Sequence, residues 1–262
     1  MRLDALIALK FDGITRNRAK VIIETGNVKL NGAVITKPSY SVDENTDNKI
    51  DICTESLPYV SRGGLKLRGA LIEFNVDPKD KICIDIGAST GGFTDCLLQN
   101  GARKVYAVDS GSNQLALSLR NDDRVVSMEH FNARDLSSEF LEELCSLAVA
   151  DVSFISQTYI LPAVFSVLTE EADYIGLIKP QFECGKSALN KNGIVKDKKE
   201  HYHAIMRVIT SAEECGFKVK KIISSPITGG DGNKEFLFHA IKTTSPIKER
   251  IDEVFIRELV SK

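Results

Sequence analysis

Residues 81–93 limit the possible fold more than any other stretch of the sequence. The short apolar run of residues 81–86 carries an acid, Asp85, next to its end, and the small residues 87–92 follow directly. Residues 93–98 then have the composition of a helix. Glycines allow a backbone to approach a bound ligand, because no Cβ atom stands in the way. A strand, a glycine-rich turn and a helix in this order predict the first unit of a nucleotide-binding α/β sheet.

The details of this loop favour S-adenosylmethionine over a dinucleotide. The dinucleotide pattern Gly-x-Gly-x-x-Gly is not matched, because Ser89 stands at the second glycine. Asp85 precedes Gly87 by two residues, where its carboxylate can order the loop and face the amino end of the cofactor. The apolar run of residues 105–108 ends at a second acid, Asp109, in a position that commonly binds a ribose diol. The predicted cofactor-binding residues are Asp85, Gly87, Ala88, Ser89, Thr90, Gly91, Gly92, Phe93 and Asp109.

Strands and helices alternate from residue 81 onward, which predicts a mostly parallel sheet covered on both faces. The loop of residues 226–232 favours an antiparallel hairpin between the last two strands. Seven strands that end in a hairpin are the methyltransferase variant of the doubly wound sheet, so the predicted fold class is α/β with a Rossmann-like methyltransferase sheet. The tail, residues 247–260, has the pattern of an amphipathic docking helix. The predicted strands are residues 81–86, 104–109, 124–128, 147–151, 173–179, 217–224 and 234–242, with helices between the first five.

Residues 1–60 have the features of a separate small α+β module. A short helix opens it, and Thr15 is expected to cap a second helix, residues 16–25, that ends at Gly26. The pair Asn31-Gly32 stands between two short apolar runs and predicts a β-hairpin. The module contains eight basic and eight acidic residues, so any RNA contact depends on where the charges lie.

The sequence pattern of this module, including the placement of its basic residues, resembles that of the RNA-binding domain first seen in ribosomal small-subunit protein four. The shared pattern is Arg16-x-Arg18-Ala19-x-x-x-Ile23-x-x-Gly26-x-Val28-x-Leu30-Asn31-Gly32. In that family, arginines on a helix face and the hairpin bind the RNA backbone, so the resemblance implies phosphate contacts that give affinity more than sequence specificity. A merely solvated helix face is the alternative. The predicted RNA-binding residues are Arg2, Arg16, Arg18, Lys20, Lys29, Arg62 and Arg68.

The joining segment, residues 61–75, places three cations where a substrate strand would pass between the two parts. Arg62, Lys66 and Arg68 lie within one or two helical turns, although such residues can also serve only to solubilise a linker. Gly63-Gly64 is expected to be a flexible joint before a helix over residues 65–74. The expected domains are residues 1–60, 61–75, 76–245 and 246–262.

Composition restricts the classes of function. The net charge of −2 gives no global basic field, so a polyanion site must come from local clustering. No apolar run of membrane-spanning length and no signal-peptide core is apparent, and we expect a cytoplasmic protein that does not act on membranes. The six cysteines form no Cys-x-x-Cys pair and the four histidines do not cluster with them, so no metal site is predicted.

Two ionisable residues leave apolar strands at the edge where the cofactor is expected. Asp151 ends the fourth predicted strand and Lys179 ends the fifth. A lysine that leaves a buried strand is costly unless it is paired or used. Lys66 and Glu235 can complete a ring of alternating charges. Such a ring suits attack by a sugar hydroxyl on a methyl group, because a base must take the hydroxyl proton, and burial or a nearby cation favours the neutral, basic form of a lysine.

Four motifs together resemble the TlyA family of ribosomal RNA 2′-O-methyltransferases, an FtsJ-like group often labelled haemolysins. They are residues 61–67, 85–94, 151–156 and 179–183. The resemblance implies S-adenosylmethionine as the cofactor and a cytidine of ribosomal RNA, alone or in a ribosomal subunit, as the partner. It also implies a Lys66, Asp151, Lys179 and Glu235 tetrad with Lys179 as proton acceptor, a second role for Asp151 beside the cofactor, and Asn132 near the adenine.

Other readings of the chain stay open at this point. A base-amino methyltransferase would usually carry Asn/Asp-Pro-Pro-Tyr after the fourth strand, where this chain has Asp151-Val152-Ser153-Phe154. A cytosine-C5 enzyme would need a thiolate from Cys145 or Cys184. A haemolysin or membrane-active protein and a non-catalytic RNA-binding assembly factor are the alternatives from other classes. The modified nucleotide and the oligomeric state are not readable from the sequence.

Overall fold

Two sheets of unequal size organise the chain, one of three strands near the N-terminus and one of seven strands after it. The structure is a computed structural model. It describes residues 1–11, 14, 16–24, 26–43, 46, 48–53, 58–229, 232–247 and 250–261. The predicted cap at Thr15 lies outside the described residues.

The N-terminal module has the predicted α+β character. Its hairpin turns at Asn31 and Gly32, whose φ angles of 50° and 83° are positive, as a tight hairpin turn requires. A third strand, which the sequence did not suggest, pairs antiparallel with the first strand of the hairpin. Apolar side chains of both helices and of the first strand form a separate small core. The elements are α1 (Leu3–Lys10), α2 (Arg16–Glu24), β1 (Val28–Leu30), β2 (Ala33–Val34) and β3 (Ile50–Ile52).

The helix that joins the two parts, α3 (Gly63–Phe74), corrects one prediction. Gly63 and Gly64 are its first two residues and not a flexible joint before it. A Cβ atom on Gly64 would lie 2.3 Å from the ring of Tyr59, so the position needs glycine for close packing. The helix ends at Asn75 in the left-handed conformation, with φ 54° and ψ 45°.

The large sheet has the predicted seven strands. The order is β6-β5-β4-β7-β8-β10-β9, with parallel pairing from β6 to β8 and antiparallel pairing of β10 with both of its neighbours. β8 starts five residues before its predicted start. The sequence did not show this, because the exposed Glu170 and Glu171 interrupt the apolar pattern of the strand. The strands are β4 (Ile82–Ile86), β5 (Lys104–Val108), β6 (Val125–Met128), β7 (Cys145–Ala150), β8 (Leu168–Ile178), β9 (Phe217–Ser224) and β10 (Phe236–Lys242).

The connections differ more from prediction than the strands do. The helix expected between β6 and β7 is wrong, since only two single 3-10 turns, residues 133–135 and 138–140, occupy that connection. A 17-residue helix before β9 was not placed from the sequence. The tail helix starts at Glu253, later than expected, and buries Ile256 and Val260. The helices are α4 (Gly92–Gln99), α5 (Leu117–Arg120), α6 (Leu161–Ser166), α7 (Pro180–Glu183), α8 (Lys198–Glu214) and α9 (Glu253–Ser261).

Both faces of the large sheet are buried. Along β4, Ile82, Ile84 and Ile86 belong to one apolar layer, whereas Cys83 belongs to the layer on the other face. This alternation follows from the two-residue period of a strand. Polar chemistry is therefore concentrated beyond the carboxyl ends of the strands, where ligands bind in open α/β sheets.

Candidate active site

The loop after β4 follows the neighbouring backbone closely. The amides of Gly87 and Ala88 donate to the carbonyl of Val108 at 2.8 and 3.1 Å. Gly87 has φ 85°, and a Cβ atom there would lie 2.6 Å from the carbonyl oxygen of Asp151. A Cβ atom on Gly92 would lie 2.1 Å from the hydroxyl of Ser61. The glycines therefore let the loop pack against the end of β7 and against the joining segment.

Asp85 orders this loop from below. Its Oδ2 accepts hydrogen bonds from the amide and the hydroxyl of Thr94 at 2.8 and 2.7 Å, which ties the end of β4 to the first turn of α4. Its Oδ1 is buried and has no hydrogen-bond partner. Burial raises the pKa of the Asp85 carboxyl to about 7. This unpaired carboxylate oxygen beneath a glycine loop fits a ligand with a cationic amino end, as S-adenosylmethionine has.

Two further predicted cofactor contacts outside the loop, Asp109 and Asn132, occupy different surroundings. Asp109 is half-buried at the end of β5 and accepts from the amides of Ser89 at 2.8 Å and Gly111 at 2.7 Å. Asn132 is exposed and caps its own 3-10 turn by accepting from the amide of Arg134 at 3.1 Å. Asp109 is thus hydrogen-bonded to the cofactor loop through Ser89. The hydrogen bond of Asn132 to Arg134 does not connect it to that loop.

One cavity of about 850 Å³ runs along this edge of the sheet. It brings together the cofactor loop, three of the four tetrad residues and the second helix of the N-terminal module. It is lined by Arg18, Lys20, Val21, Glu24, Val60, Ser61, Arg62, Gly63, Lys66, Gly87, Ala88, Ser89, Thr90, Gly92, Phe93, Gln114, Ala116, Leu117, Ser118, Asp151, Ser153 and Lys179.

The four tetrad residues meet at the carboxyl edge. Lys66 Nζ lies 2.6 Å from Glu235 Oε2 and 3.9 Å from Asp151 Oδ2. Lys179 Nζ lies 2.6 Å from Asp151 Oδ1. Lys66, Lys179 and Glu235 are buried, and the Asp151 side chain is 19% exposed. Two buried ammonium groups thus share one carboxylate between them, and the second acid holds Lys66.

Two residues that follow Asp151 in the chain have features that sequence reasoning missed. Ser153 accepts a hydrogen bond from Lys179 Nζ at 2.8 Å. Phe154, the following residue, is 91% exposed and has a φ of 63°, which is unusual for a bulky side chain. Its ring centre lies 5.1 Å from that of Phe182. The only sequence signal for a role of these residues is that they follow Asp151 closely in the chain.

The predicted RNA-binding residues divide into two groups. Arg18, Lys20 and Arg62 line the cavity. Arg2 and Arg16 lie elsewhere, where both pair with the buried Asp4 at 3.0 and 3.3 Å. The exposed Lys29 lies on β1, and Arg68 donates to Asn100 Oδ1 at 2.6 Å, so neither of them lines the cavity.

The cysteines do not support thiol chemistry. Burial raises the pKa of Cys145 to about 12 and that of Cys184 to about 11, which keeps both as thiols at neutral pH. Cys145 also begins β7, at the end of the strand opposite to Asp151. Within the described part of the chain, no group of three or more His, Cys, Asp or Glu residues is arranged to hold a metal ion. None of the helices described here has the length and apolar character needed to cross a membrane.

The sheet order, the glycine loop with Asp85 and Asp109, and the attached module define a methyltransferase with an added small α+β domain. Residues 59–242 match the FtsJ-like methyltransferase family, and residues 1–48 match the S4 domain. The chain belongs to the FtsJ-like methyltransferase family, and S-adenosylmethionine is its methyl donor.

Named relatives and a solved structure extend this similarity over the whole chain. Hemolysin A of Brachyspira hyodysenteriae is 46% identical over 92% of this chain and 100% of its own length. The 16S/23S rRNA (cytidine-2′-O)-methyltransferase TlyA of Mycobacterium tuberculosis is 40% identical over 90% of this chain and 87% of its own length. A solved structure from Streptococcus thermophilus, provisionally named a hemolysin, is 45% identical with a TM-score of 0.78, and covers 100% of this chain and 94% of that one.

Proposed function

We propose that the chain methylates the 2′-hydroxyl of a cytidine in ribosomal RNA. The observation that carries this proposal is the cluster of Lys66, Asp151, Lys179 and Glu235 beside the cofactor loop. The first three of these residues line the same cavity as the N-terminal module. A ribose hydroxyl needs a base to take its proton, and such a cluster offers a lysine for that purpose. The activity in the name of the M. tuberculosis relative agrees with this acceptor.

The tetrad residues have different parts in this proposal. S-adenosylmethionine supplies the electrophilic methyl group when it is bound. Lys179 takes the proton of the ribose hydroxyl, and Asp151 holds its nitrogen at the edge of the cavity. The ammonium of Lys66 lies 3.9 Å from the other oxygen of Asp151. Glu235 fixes Lys66 in that place.

The surface around the tetrad suits a nucleotide of a structured RNA. Arg18 and Lys20 bring two cations of the N-terminal module to the cavity, where they can bind backbone phosphates. The exposed ring of Phe154 can stack on the base of the target nucleotide, since aromatic rings bind unstacked bases in this way. We assign RNA binding to residues 1–60, the connection to residues 61–75 and methyl transfer to residues 76–245. A ribosomal substrate would make the cytoplasm the place of action.

The test is transfer of a labelled methyl group to purified small subunits, large subunits and naked ribosomal RNA, followed by mapping of the modified nucleotide. We expect a methylated ribose at a cytidine, recognised by the resistance of the adjacent phosphodiester to alkali. A methyl group on a base would contradict the proposal. Cofactor binding without transfer to any particle would favour an assembly factor, and lysis of red cells by cofactor-free protein would favour a haemolysin.

A further inference from the structure

Ser153 stands beside the proton acceptor without belonging to the tetrad. Its hydroxyl accepts a hydrogen bond from Lys179 Nζ at 2.8 Å, while Asp151 Oδ1 lies 2.6 Å from the same nitrogen. Both Asp151 and Ser153 follow β7 and line the cavity. The lysine nitrogen is therefore held from two sides by residues of one strand end.

We propose that Ser153 is a positioning residue that directs the lone pair of neutral Lys179 toward the ribose hydroxyl. The inference rests on the proposed function and extends it by one residue. A neutral lysine nitrogen has two N–H groups and one lone pair. Ser153 accepts one N–H group at 2.8 Å, and the Asp151 carboxylate attracts the nitrogen from 2.6 Å without a hydrogen bond of its own. With one N–H fixed on Ser153 and the nitrogen drawn toward Asp151, the lone pair points away from these two residues of the cavity wall. Without the hydroxyl, one N–H loses its fixed acceptor and the lone pair loses its fixed direction.

The hydroxyl is suited to this task because it carries no charge. The ion-pair attraction between Lys179 and Asp151 weakens when the lysine becomes neutral, because it depends on both charges. The bond to Ser153 depends less on that charge and remains available in the reactive state. In the reaction the ribose O–H bond breaks, an oxygen–methyl bond forms, the carbon–sulfur bond of the donor breaks and Lys179 takes up the proton. Ser153 gains and loses no proton.

Several charged and aromatic groups besides Ser153 face Lys179. Asp151 lies on the end of β7, Lys66 comes from α3, and Glu235 before β10 holds Lys66. From α7, the ring of Phe182 lies under the ammonium, 5.8 Å from the nitrogen to the ring centre. Arg18, Lys20 and Arg62 line the same cavity. All of these remain in a Ser153 variant, so a change in the rate–pH profile would report the loss of the hydroxyl alone.

The test compares Ser153→Ala, Ser153→Thr and Ser153→Val in single-turnover methyl transfer at saturating RNA and cofactor, over a range of pH. Threonine and valine have nearly the same shape and differ in the hydroxyl. We expect Ser153→Ala and Ser153→Val to lower the rate about tenfold, the effect of one lost hydrogen bond to the neutral lysine. The acid limb of the rate–pH profile should also move to lower pH, because the lost bond favoured the ammonium form. Ser153→Thr should keep the rate and the profile.

The affinity for S-adenosylhomocysteine should stay within about twofold in all three variants, since one hydrogen bond at Lys179 is not a cofactor contact. Ser127→Ala, an exposed serine of the edge strand β6, is the control that should leave rate and profile unchanged. Wild-type rate and profile in Ser153→Ala, or equal loss in the Thr and Val variants, would overturn the role of Ser153 and leave the proposed function intact. If the alanine variant does not fold, the Thr and Val pair decides. A wild-type protein that methylates a base would overturn both proposals.

Discussion

Arg62 and Glu24 form an ion pair that joins the linker to the second helix of the N-terminal module. The Arg62 guanidinium also donates to the carbonyl of Thr228 at 2.5 Å, in the loop between β9 and β10. The next residue, Gly229, is packed so closely on Glu235 that a Cβ atom there would lie 2.6 Å from Oε1. Arg62 therefore joins its own segment to two others, the second helix and the loop at Thr228. That loop packs on Glu235, the residue that holds Lys66.

The contacts of Arg62 suggest a role that competes with the predicted RNA contact, and Glu24→Ala distinguishes the two. If Arg62 clamps the modules, both Arg62→Ala and Glu24→Ala should weaken RNA binding several-fold, and the double variant should be no worse than either. The slope of affinity against salt should stay near the wild-type value, because no phosphate contact is lost. Stronger RNA binding in Glu24→Ala would show instead that Arg62 binds phosphate once its carboxylate partner is removed.

Alanine should destabilise the protein at Gly64 and have little effect at Gly63. In Gly64→Ala the new methyl group would meet the Tyr59 ring at 2.3 Å, whereas in Gly63→Ala the nearest atoms lie at 3.4 Å or more. We expect Gly64→Ala to cost about 1–3 kcal/mol, the usual range for overpacking, and to lower the melting temperature by several degrees. Gly63→Ala is the matched control and should melt like the wild type in the same thermal scan. Equal melting temperatures for the two variants would speak for the flexible joint expected from sequence.

The strand ends were predictable because their signal is local. Asp85, Asp151 and Lys179 each lie at or next to the end of a continuous apolar run, and parallel strands bring such ends to one edge. The structure does bring Asp151 and Lys179 within 2.6 Å. The alternation of apolar runs was also enough to count the strands of the large sheet.

Features that depend on distant contacts were not readable in the same way. The pairing of Arg62 with Glu24 joins residues 38 positions apart, and no period or motif links them. Gly63-Gly64 suggested flexibility because glycine is locally permissive, but the packing of Tyr59 on that backbone decides the conformation. The helix predicted between β6 and β7 also failed for lack of information on distant contacts. An apolar pattern in such a connection does not show whether the space against the sheet admits a full helix.

Arg18 and Arg68 offer a direct test of where RNA binds. Arg18 lines the cavity, whereas Arg68 pairs with Asn100 outside it. We expect Arg18→Ala to weaken RNA binding and to reduce the slope of log affinity against log salt by about 1, the value for one lost phosphate contact. Arg68→Ala should leave both quantities near wild type. A reduced slope in Arg68→Ala and not in Arg18→Ala would move the RNA path out of the cavity.

Lys179→Ala should remove methyl transfer and spare the cofactor site. Loss of a general base lowers rates by about 100-fold or more, and the single-turnover rate of methyl transfer measures this loss. Affinity for S-adenosylhomocysteine should change little, because the loop and Asp85 are untouched. Lys79→Ala, an exposed lysine before β4 at the other end of the sheet, is the control. A single-turnover rate close to wild type in Lys179→Ala would refute the assignment of the base.

Asp85 should make the stability of the cofactor-free protein depend on pH. Burial raises its pKa to about 7 in the folded state, whereas an unfolded chain has an aspartate pKa of about 3.9. Between these values the folded state binds more protons than the unfolded state, so the contribution is complete below about pH 4 and is lost as the pH rises through about 7. We expect the free energy of unfolding in urea to fall by about 2–4 kcal/mol over this range on account of Asp85.

Asp85→Asn removes the titration and should flatten this part of the pH dependence, while Asp123→Asn, an exposed aspartate, should not. A cationic ligand end beside Asp85 favours the ionised carboxylate, so cofactor affinity should rise as the pH passes through about 7 in the wild type. The same rise should be absent in Asp85→Asn, and titration calorimetry in buffers of different ionisation enthalpy should detect proton release only in the wild type. Identical pH profiles for wild type and Asp85→Asn, in both unfolding and binding, would mean that the buried carboxyl is not the group that titrates.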